Sequence, residues 1–185
     1  NVSSTFNYLQ ALFMWKAVDN ISGVYRYHYC LNTEDNITWL NITYDPYLIA
    51  PVSPGTWYLH LFAEDLAGNI GEEYVVMIDI PAYSDVMANI SYPSGWYNHS
   101  DVPIHVESSA SETVVGGRIE YATATIWNGH VSEFSPWTVL ADITAGNVTF
   151  NVEDGNAYIF RFRAWTEYNT SDYAFGNILW VDLSK

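Results

Sequence analysis

The stretch Gly55–Asp65, GTWYLHLFAED, decides the fold class. Its side chains alternate between two faces with a period of two, which is the pattern of a β-strand with one buried face. The stretch 157–164, AYIFRFRA, alternates in the same way. Gly, Pro, Asn and Asp interrupt the chain about every 8 to 12 residues, and no window keeps a helical period. The sequence therefore predicts an all-β chain.

The same stretches belong to an internal repeat, which indicates more than one domain. WYLHLFA (57–63) superposes on YIFRFRA (158–164), and VMID (76–79) aligns with LWVD (179–182). Since the matched segments keep their order in both halves, the repeat covers a whole domain. The sequence predicts two tandem antiparallel β-sandwiches.

The domain boundary follows from the alignment of the two copies. We place the first sandwich at residues 1–80 and the second at 81–185. The second copy has a candidate first strand at 88–92, whereas alignment of Phe6 with Tyr97 puts the matching strand of the first copy before Asn1. We therefore expect the first domain to lack its first strand.

Charge and composition exclude several functions. The chain has 185 residues, with 21 acidic and 6 basic side chains and a formal charge of −15. Binding to a phosphate backbone requires Lys and Arg to displace counterions, so nucleic acid is excluded as a partner. No apolar run approaches the roughly 18 residues of a membrane-spanning segment, and we expect no direct membrane insertion. Cys30 is the only cysteine, so an intramolecular disulfide framework is excluded.

Asparagine-linked glycosylation motifs are more frequent than composition explains. Chance predicts about two Asn-x-Ser/Thr sites for this content of Asn, Ser and Thr. Eight occur, at Asn1, Asn20, Asn36, Asn41, Asn89, Asn98, Asn147 and Asn169. This enrichment predicts a glycosylated surface and an extracellular or cell-surface location. The alternative is that these residues serve only as turn and strand formers.

The first copy resembles a known class of domains. Its segments FMWKAVDNISGVYRYHYCL (13–31) and GTWYLHLFAEDLAGN (55–69) are similar to the immunoglobulin-like and fibronectin type III-like modules of prokaryotic, and in style archaeal, secreted and surface proteins. The resemblance implies two such sandwiches with a structural role. The second copy departs from the pattern, because AWTEYNTSDYAFGN (164–177) stands where the Ala-x-Asp-x-Ala-Gly-Asn turn is expected.

One candidate metal site follows from this resemblance. In such a sandwich the loop of Asp19 and the loop of Asp65 and Asn69 lie at the same end. Clustered carboxylate and carbonyl oxygens suit Ca²⁺, which makes calcium the only candidate cofactor. The alternative is that these residues cap turns, with Gly23 and Gly68 at positive φ.

The remaining chemically active residues do not form a recognised catalytic set. His28 and His60 are expected on the solvent-exposed faces of paired strands, and Cys30 outward or near a strand end. No nucleophile elbow, phosphate loop, paired-His motif or Ser/His/Asp set is present. The sequence therefore predicts that the protein is not an enzyme.

Aromatic residues give a second binding hypothesis. Trp15 is expected in the first core, and Trp57 and Tyr158 are expected to fix loops. Exposed indole rings can stack on sugars. The candidates are Trp96, Trp127, Trp137 and Trp165. The alternative is that all of them pack in cores.

These observations predict a non-catalytic, glycosylated spacer or assembly region of a surface-layer, filament or large secreted protein. Its partners would be neighbouring modules of the same polypeptide or surface assembly. A carbohydrate-binding or accessory region of a secreted hydrolase or protease, with polysaccharide as the partner, is the alternative. A fibre subunit completed by donor strands is the third hypothesis.

Overall fold

The computed structural model describes residues 1–7, 9–81 and 85–184. Every regular element in these residues is a β-strand, which confirms the predicted all-β class. The chain divides into two compact units, Asn1–Ala82 (unit 1) and Tyr83–Lys185 (unit 2). In the described residues, no helix has the length and apolar character needed to cross a bilayer.

Unit 1 is a sandwich of two antiparallel sheets. Its described strands are β1 (Val2–Phe6), β2 (Gln10–Trp15), β3 (Val24–Asn32), β4 (Asn41–Thr43), β5 (Tyr47–Pro51), β6 (Gly55–Asp65) and β7 (Tyr74–Ile80). One sheet has the order β1-β2-β5 and the other β4-β3-β6-β7. Phe13 and Leu59 are fully buried between the sheets. Trp15 also lies in this core, edge-to-face with Tyr27 at 5.6 Å between ring centroids, as predicted.

Unit 2 repeats the arrangement with additional short strands. Its described strands are β8 (Val86–Ser91), β9 (Gly95–Tyr97), β10 (Asp101–Ala110), β11 (Gly116–Trp127), β12 (His130–Val131), β13 (Thr138–Asp142), β14 (Gly146–Asn151), β15 (Asn156–Trp165), β16 (Ala174–Phe175) and β17 (Leu179–Val181). The sheets have the orders β14-β10-β8 and β12-β11-β15-β17-β9, with β13 on β11 and β16 on β15. Ile104, Phe160 and Phe162 are fully buried in the core between them.

The expectation that the first domain lacks its first strand is wrong. β1 pairs antiparallel with β2, from Val2 opposite Trp15 to Phe6 opposite Ala11. This is the position that β8 occupies beside β10 in unit 2. The alignment of Phe6 with Tyr97 misplaced the strand, because Tyr97 lies in β9. β9 pairs in parallel with β17 and has no counterpart in the described part of unit 1.

Candidate functional site

The residues predicted to bind calcium come together at one end of unit 1. Ser22 joins the two loops, since its Oγ lies 2.7 Å from Asp19 Oδ2 and 3.0 Å from Asp65 Oδ2. Asn69 donates to Asp65 twice, from its backbone nitrogen to Oδ1 and from Nδ2 to Oδ2, both at 2.8 Å. The two loops therefore form one hydrogen-bonded network.

The donors in this network belong to the turns themselves. The Ser22 side chain, followed by backbone N–H groups, holds the pKa of Asp19 below its ordinary value, and the Asn69 side chain does the same for the pKa of Asp65. Gly23 and Gly68 have φ of 80° and 86°, as predicted. The geometry is that of turn capping, and a cation would have to replace these donors. No cluster of three or more His, Cys, Asp or Glu in the described residues is arranged to hold a metal ion.

His60, which was expected on a solvent-exposed strand face, is buried, and this corrects the sequence-based interpretation. The His60 side chain is 3% exposed, and its Nδ1 lies 2.6 Å from Glu73 Oε1. Its register partner Cys30 is also fully buried. Cys30 Sγ lies 3.9 Å from Thr38 Oγ1, because the segment after β3 folds over this part of the sheet. Alternation identified the outward side of the strands but not the residues that cover it.

His28, the other histidine expected on these paired strands, takes part in an ion-pair cluster on the same face of the sheet. His28 Nε2 lies 2.5 Å from Glu64 Oε2, and Arg26 Nε lies 2.6 Å from the same oxygen. Arg26 is the main reason that the pKa of Glu64 is lowered. The carboxylate of Glu64 is thus shared between two structural partners.

The glycosylation motifs satisfy the main geometric requirement for modification. All eight predicted asparagines are exposed, four of them in each unit. Of the seven other asparagines, Asn7, Asn32 and Asn156 are partly buried. Every motif asparagine is therefore exposed, whereas only some of the other asparagines are. The Ser171 hydroxyl of the Asn169 motif is itself buried and accepts a hydrogen bond of 3.0 Å from the backbone N–H of Ala164.

Two motifs share the outer face of one sheet of unit 2. Asn147 stands opposite His105 in the register of β10 with β14, and Asn89 stands opposite Glu107 in that of β10 with β8. His105 Nδ1 lies 2.9 Å from Asn147 Oδ1, and its Nε2 lies 3.2 Å from Glu107 Oε1. Both contacts raise the pKa of His105, Glu107 the more strongly. Contacts through His105 thus link Asn147 to Glu107, the residue that stands opposite Asn89.

The four candidate sugar-stacking tryptophans differ in exposure. Trp96 is 62% exposed and Trp127 is 77% exposed. Trp137 and Trp165 are partly buried: the Arg161 guanidinium lies 4.0 Å from the Trp137 ring centroid, and Trp165 packs against Gly116. Trp96 lies in β9 and Trp127 in β11, and β15 and β17 separate these strands in the sheet, so the two rings do not form a continuous platform.

Two features were missed by sequence reasoning. One is Trp39 in unit 1, which is 56% exposed. The other is an arginine cluster on the outer face of unit 2, where Arg161 lies 4.0 Å from the Tyr173 ring centroid as well as from that of Trp137. Glu120 pairs with Arg161 at 2.9 Å, and Asp142 pairs with Arg118 at 2.7 Å. The sequence shows how residues alternate along β11 and along β15. It does not show the register in which these two strands pair, and this register brings the charged side chains together.

Comparison with known proteins shows that the chain is similar to several solved structures. No protein-family model matches the chain, and no curated protein matches it. A chitinase from Bacillus thuringiensis aligns at 17% identity and a TM-score of 0.36 over 96% of this chain, which spans 27% of the chitinase chain. A two-domain fibronectin type III segment of chicken tenascin aligns at 13% identity and a TM-score of 0.34, covering 97% of both chains.

The fibronectin(III)-like modules of Clostridium thermocellum CbhA align at 12% identity and a TM-score of 0.36, over 98% of this chain and 94% of theirs. At such TM-scores these alignments carry no functional argument, and the fold assignment rests on the sheet orders. The fold is a β-sandwich of the immunoglobulin-like or fibronectin type III-like kind, as predicted. Because this fold hosts unrelated functions, function must be argued from the surface.

Proposed function

We propose that this chain is a non-catalytic, glycosylated spacer or assembly region of an extracellular protein, in a surface layer, a filament or a large secreted polypeptide. The observation that carries the proposal is the exposure of all eight motif asparagines on two consecutive sandwiches. Glycans and carboxylates in these numbers keep the protein surface hydrated and hinder the access of proteases. Its partners would be neighbouring modules of the same assembly.

The contacts of the chemically active side chains support a structural role. Asp19 and Asp65 accept hydrogen bonds from their own turns. His28 and His60 pair with Glu64 and Glu73. Each of these groups therefore has a local stabilising partner, which favours a scaffold over a reaction centre.

Of the four candidate sugar-stacking tryptophans, only Trp96 and Trp127 are exposed enough to support the alternative, a carbohydrate-binding accessory region. Binding of a polymeric sugar to a flat surface favours aromatic rings in one row, and these two are separated by β15 and β17. The donor-strand hypothesis loses its original basis, because β1 fills the edge that was expected to be open.

Intact-mass measurement and glycopeptide mapping of the protein secreted from its source test the proposal. We expect a mass above 21.0 kDa with sugar on several of the eight asparagines. Asn69, which is exposed but lies outside any motif, is the internal control and should be unmodified. An unmodified chain would overturn the proposal. Binding of a neutral polysaccharide that is lost in both Trp96→Ala and Trp127→Ala would favour the accessory-region alternative instead.

A further inference from the structure

A cleft on unit 2 brings an exposed tryptophan and a glycosylation motif together. Trp96, Tyr97, Asn98 and Asp182 line this cleft, whose volume is about 230 Å³. Trp96 lies in β9, Asn98 directly follows the end of this strand, and both residues line the same cleft. A sugar linked to Asn98 Nδ2 would begin next to the indole ring.

The indole ring is held in place before any sugar is attached. Trp96 stands opposite Trp180 in the parallel pairing of β9 with β17, with ring centroids 5.6 Å apart. Backbone hydrogen bonds of 3.0 Å fix both ends of β9, from Gly95 N to the Ile178 carbonyl and from Asp182 N to the Tyr97 carbonyl. A ligand that contacts a fixed ring does not have to order it first.

The chemistry of the cleft suits a neutral sugar. An indole ring offers an apolar face, against which the C–H face of a pyranose ring packs. The carboxylate side chain of Asp182 borders the same cleft, so an acidic sugar would be repelled. The hydroxyl groups of a neutral sugar remain at the solvent side.

The same spacing recurs in unit 1. Trp39 is 56% exposed and precedes the motif asparagine Asn41 by two residues. With eight Trp in 185 residues, chance places fewer than one Trp in that position across the eight motifs. The exposed tryptophans of the described residues are Trp39, Trp96 and Trp127. Two of the three therefore precede a motif asparagine by two residues.

We propose that the glycans on Asn98 and Asn41 pack on Trp96 and Trp39, so that each modification covers an apolar ring of the protein itself. The inference rests on the proposed glycosylation and goes beyond it, because it assigns two of the glycans a role in stability. It also explains why large apolar rings stand at the surface in β9 and just before β4. Trp127, which lies at the β11–β12 hairpin outside the cleft, serves as the matched control.

A double-mutant cycle on the glycosylated full chain tests the proposal. The variants are Asn98→Gln, Trp96→Ala and the double variant, with Asn89→Gln and Trp127→Ala as a control pair. We expect loss of the Asn98 glycan to lower the melting temperature by about 2 to 4 °C when Trp96 is present. The same loss should have no effect in the Trp96→Ala background. Additive effects in both pairs would overturn the inference.

A second measurement avoids variants that fold poorly. In protein labelled with ¹⁵N-Trp, enzymatic removal of glycans should shift the indole N–H signals of Trp39 and Trp96 and leave that of Trp127 unchanged. Unshifted Trp39 and Trp96 signals would contradict glycan packing. Glycopeptide mapping distinguishes a failure of the proposed function from a failure of this inference. An unmodified Asn98 would contradict the proposed glycosylation at this site. A glycosylated Asn98 with unshifted indole signals would contradict only the packing of the glycan on the ring.

Discussion

The Tyr158 hydroxyl lies 3.0 Å from the backbone nitrogen of Glu153 and accepts its N–H. Trp57 occupies the matching position in unit 1, and its Nε1 donates to the Ser53 carbonyl at 2.8 Å. Each aromatic residue therefore fixes the loop that precedes its own strand, β15 or β6, as the sequence predicted. In both units an aromatic side chain at this position thus fixes the preceding loop, although the residue is Trp in unit 1 and Tyr in unit 2.

Tyr158→Phe should destabilise the chain by about 0.5 to 1.5 kcal/mol, because it removes this hydrogen bond and leaves the ring in place. Urea unfolding at neutral pH measures the effect, with an unchanged m-value. Tyr168→Phe is the control, since Tyr168 is 74% exposed. Equal stability of the two variants would show that the loop does not depend on the hydroxyl.

Gly68→Ala should cost about 1 to 2 kcal/mol, because φ at this position is +86° and L-residues rarely adopt it. Nothing lies within 4 Å of an added Cβ, so the loss would come from the backbone alone. Gly71→Ala is the matched control, since its Cβ would make only an ordinary contact of 3.5 Å with the Ala63 carbonyl. A Gly68→Ala variant as stable as Gly71→Ala would refute the turn assignment.

The pKa of His105 should lie above 6.5 and should fall in Glu107→Gln, because Glu107 is the first cause of its elevation. A raised pKa means that the protonated ring is stabilised in the folded state. This contribution is complete below pH 6.5 and is lost as the pH rises through the folded pKa. NMR titration of the His105 ring measures it. Glu112→Gln, at another exposed position, should leave the titration unchanged, and an equal shift in both variants would contradict the assignment.

Removal of calcium with a chelator should leave the melting temperature of the chain unchanged. The reason is that Ser22 and Asn69 already donate to the carboxylates of Asp19 and Asp65. Differential scanning fluorimetry with added Ca²⁺ or EDTA checks this expectation. A rise in melting temperature on addition of Ca²⁺ that disappears in Asp65→Asn would restore the calcium site.

The sequence by itself determined the strand content, the repeat and the core positions that alternate along single strands. Leu59 and Phe160 were predictable as buried because a period of two is a local property of one strand. Gly68 and Tyr158 were predictable because turn chemistry and loop fixing act over a few residues. The eight motifs were also readable without a structure, as was the spacing between Trp96 and Asn98.

Only the tertiary structure decided what covers each face and which strands pair. His60 and Cys30 lie on the outward side of their strands, yet both are buried. Cys30 contacts Thr38 in the segment after β3, and His60 contacts Glu73, which precedes β7. β1 was placed by its pairing with β2, and the arginine cluster by the register of β11 with β15. Strand pairing and the covering of a sheet depend on contacts between residues far apart in the chain, to which local periodicity is blind.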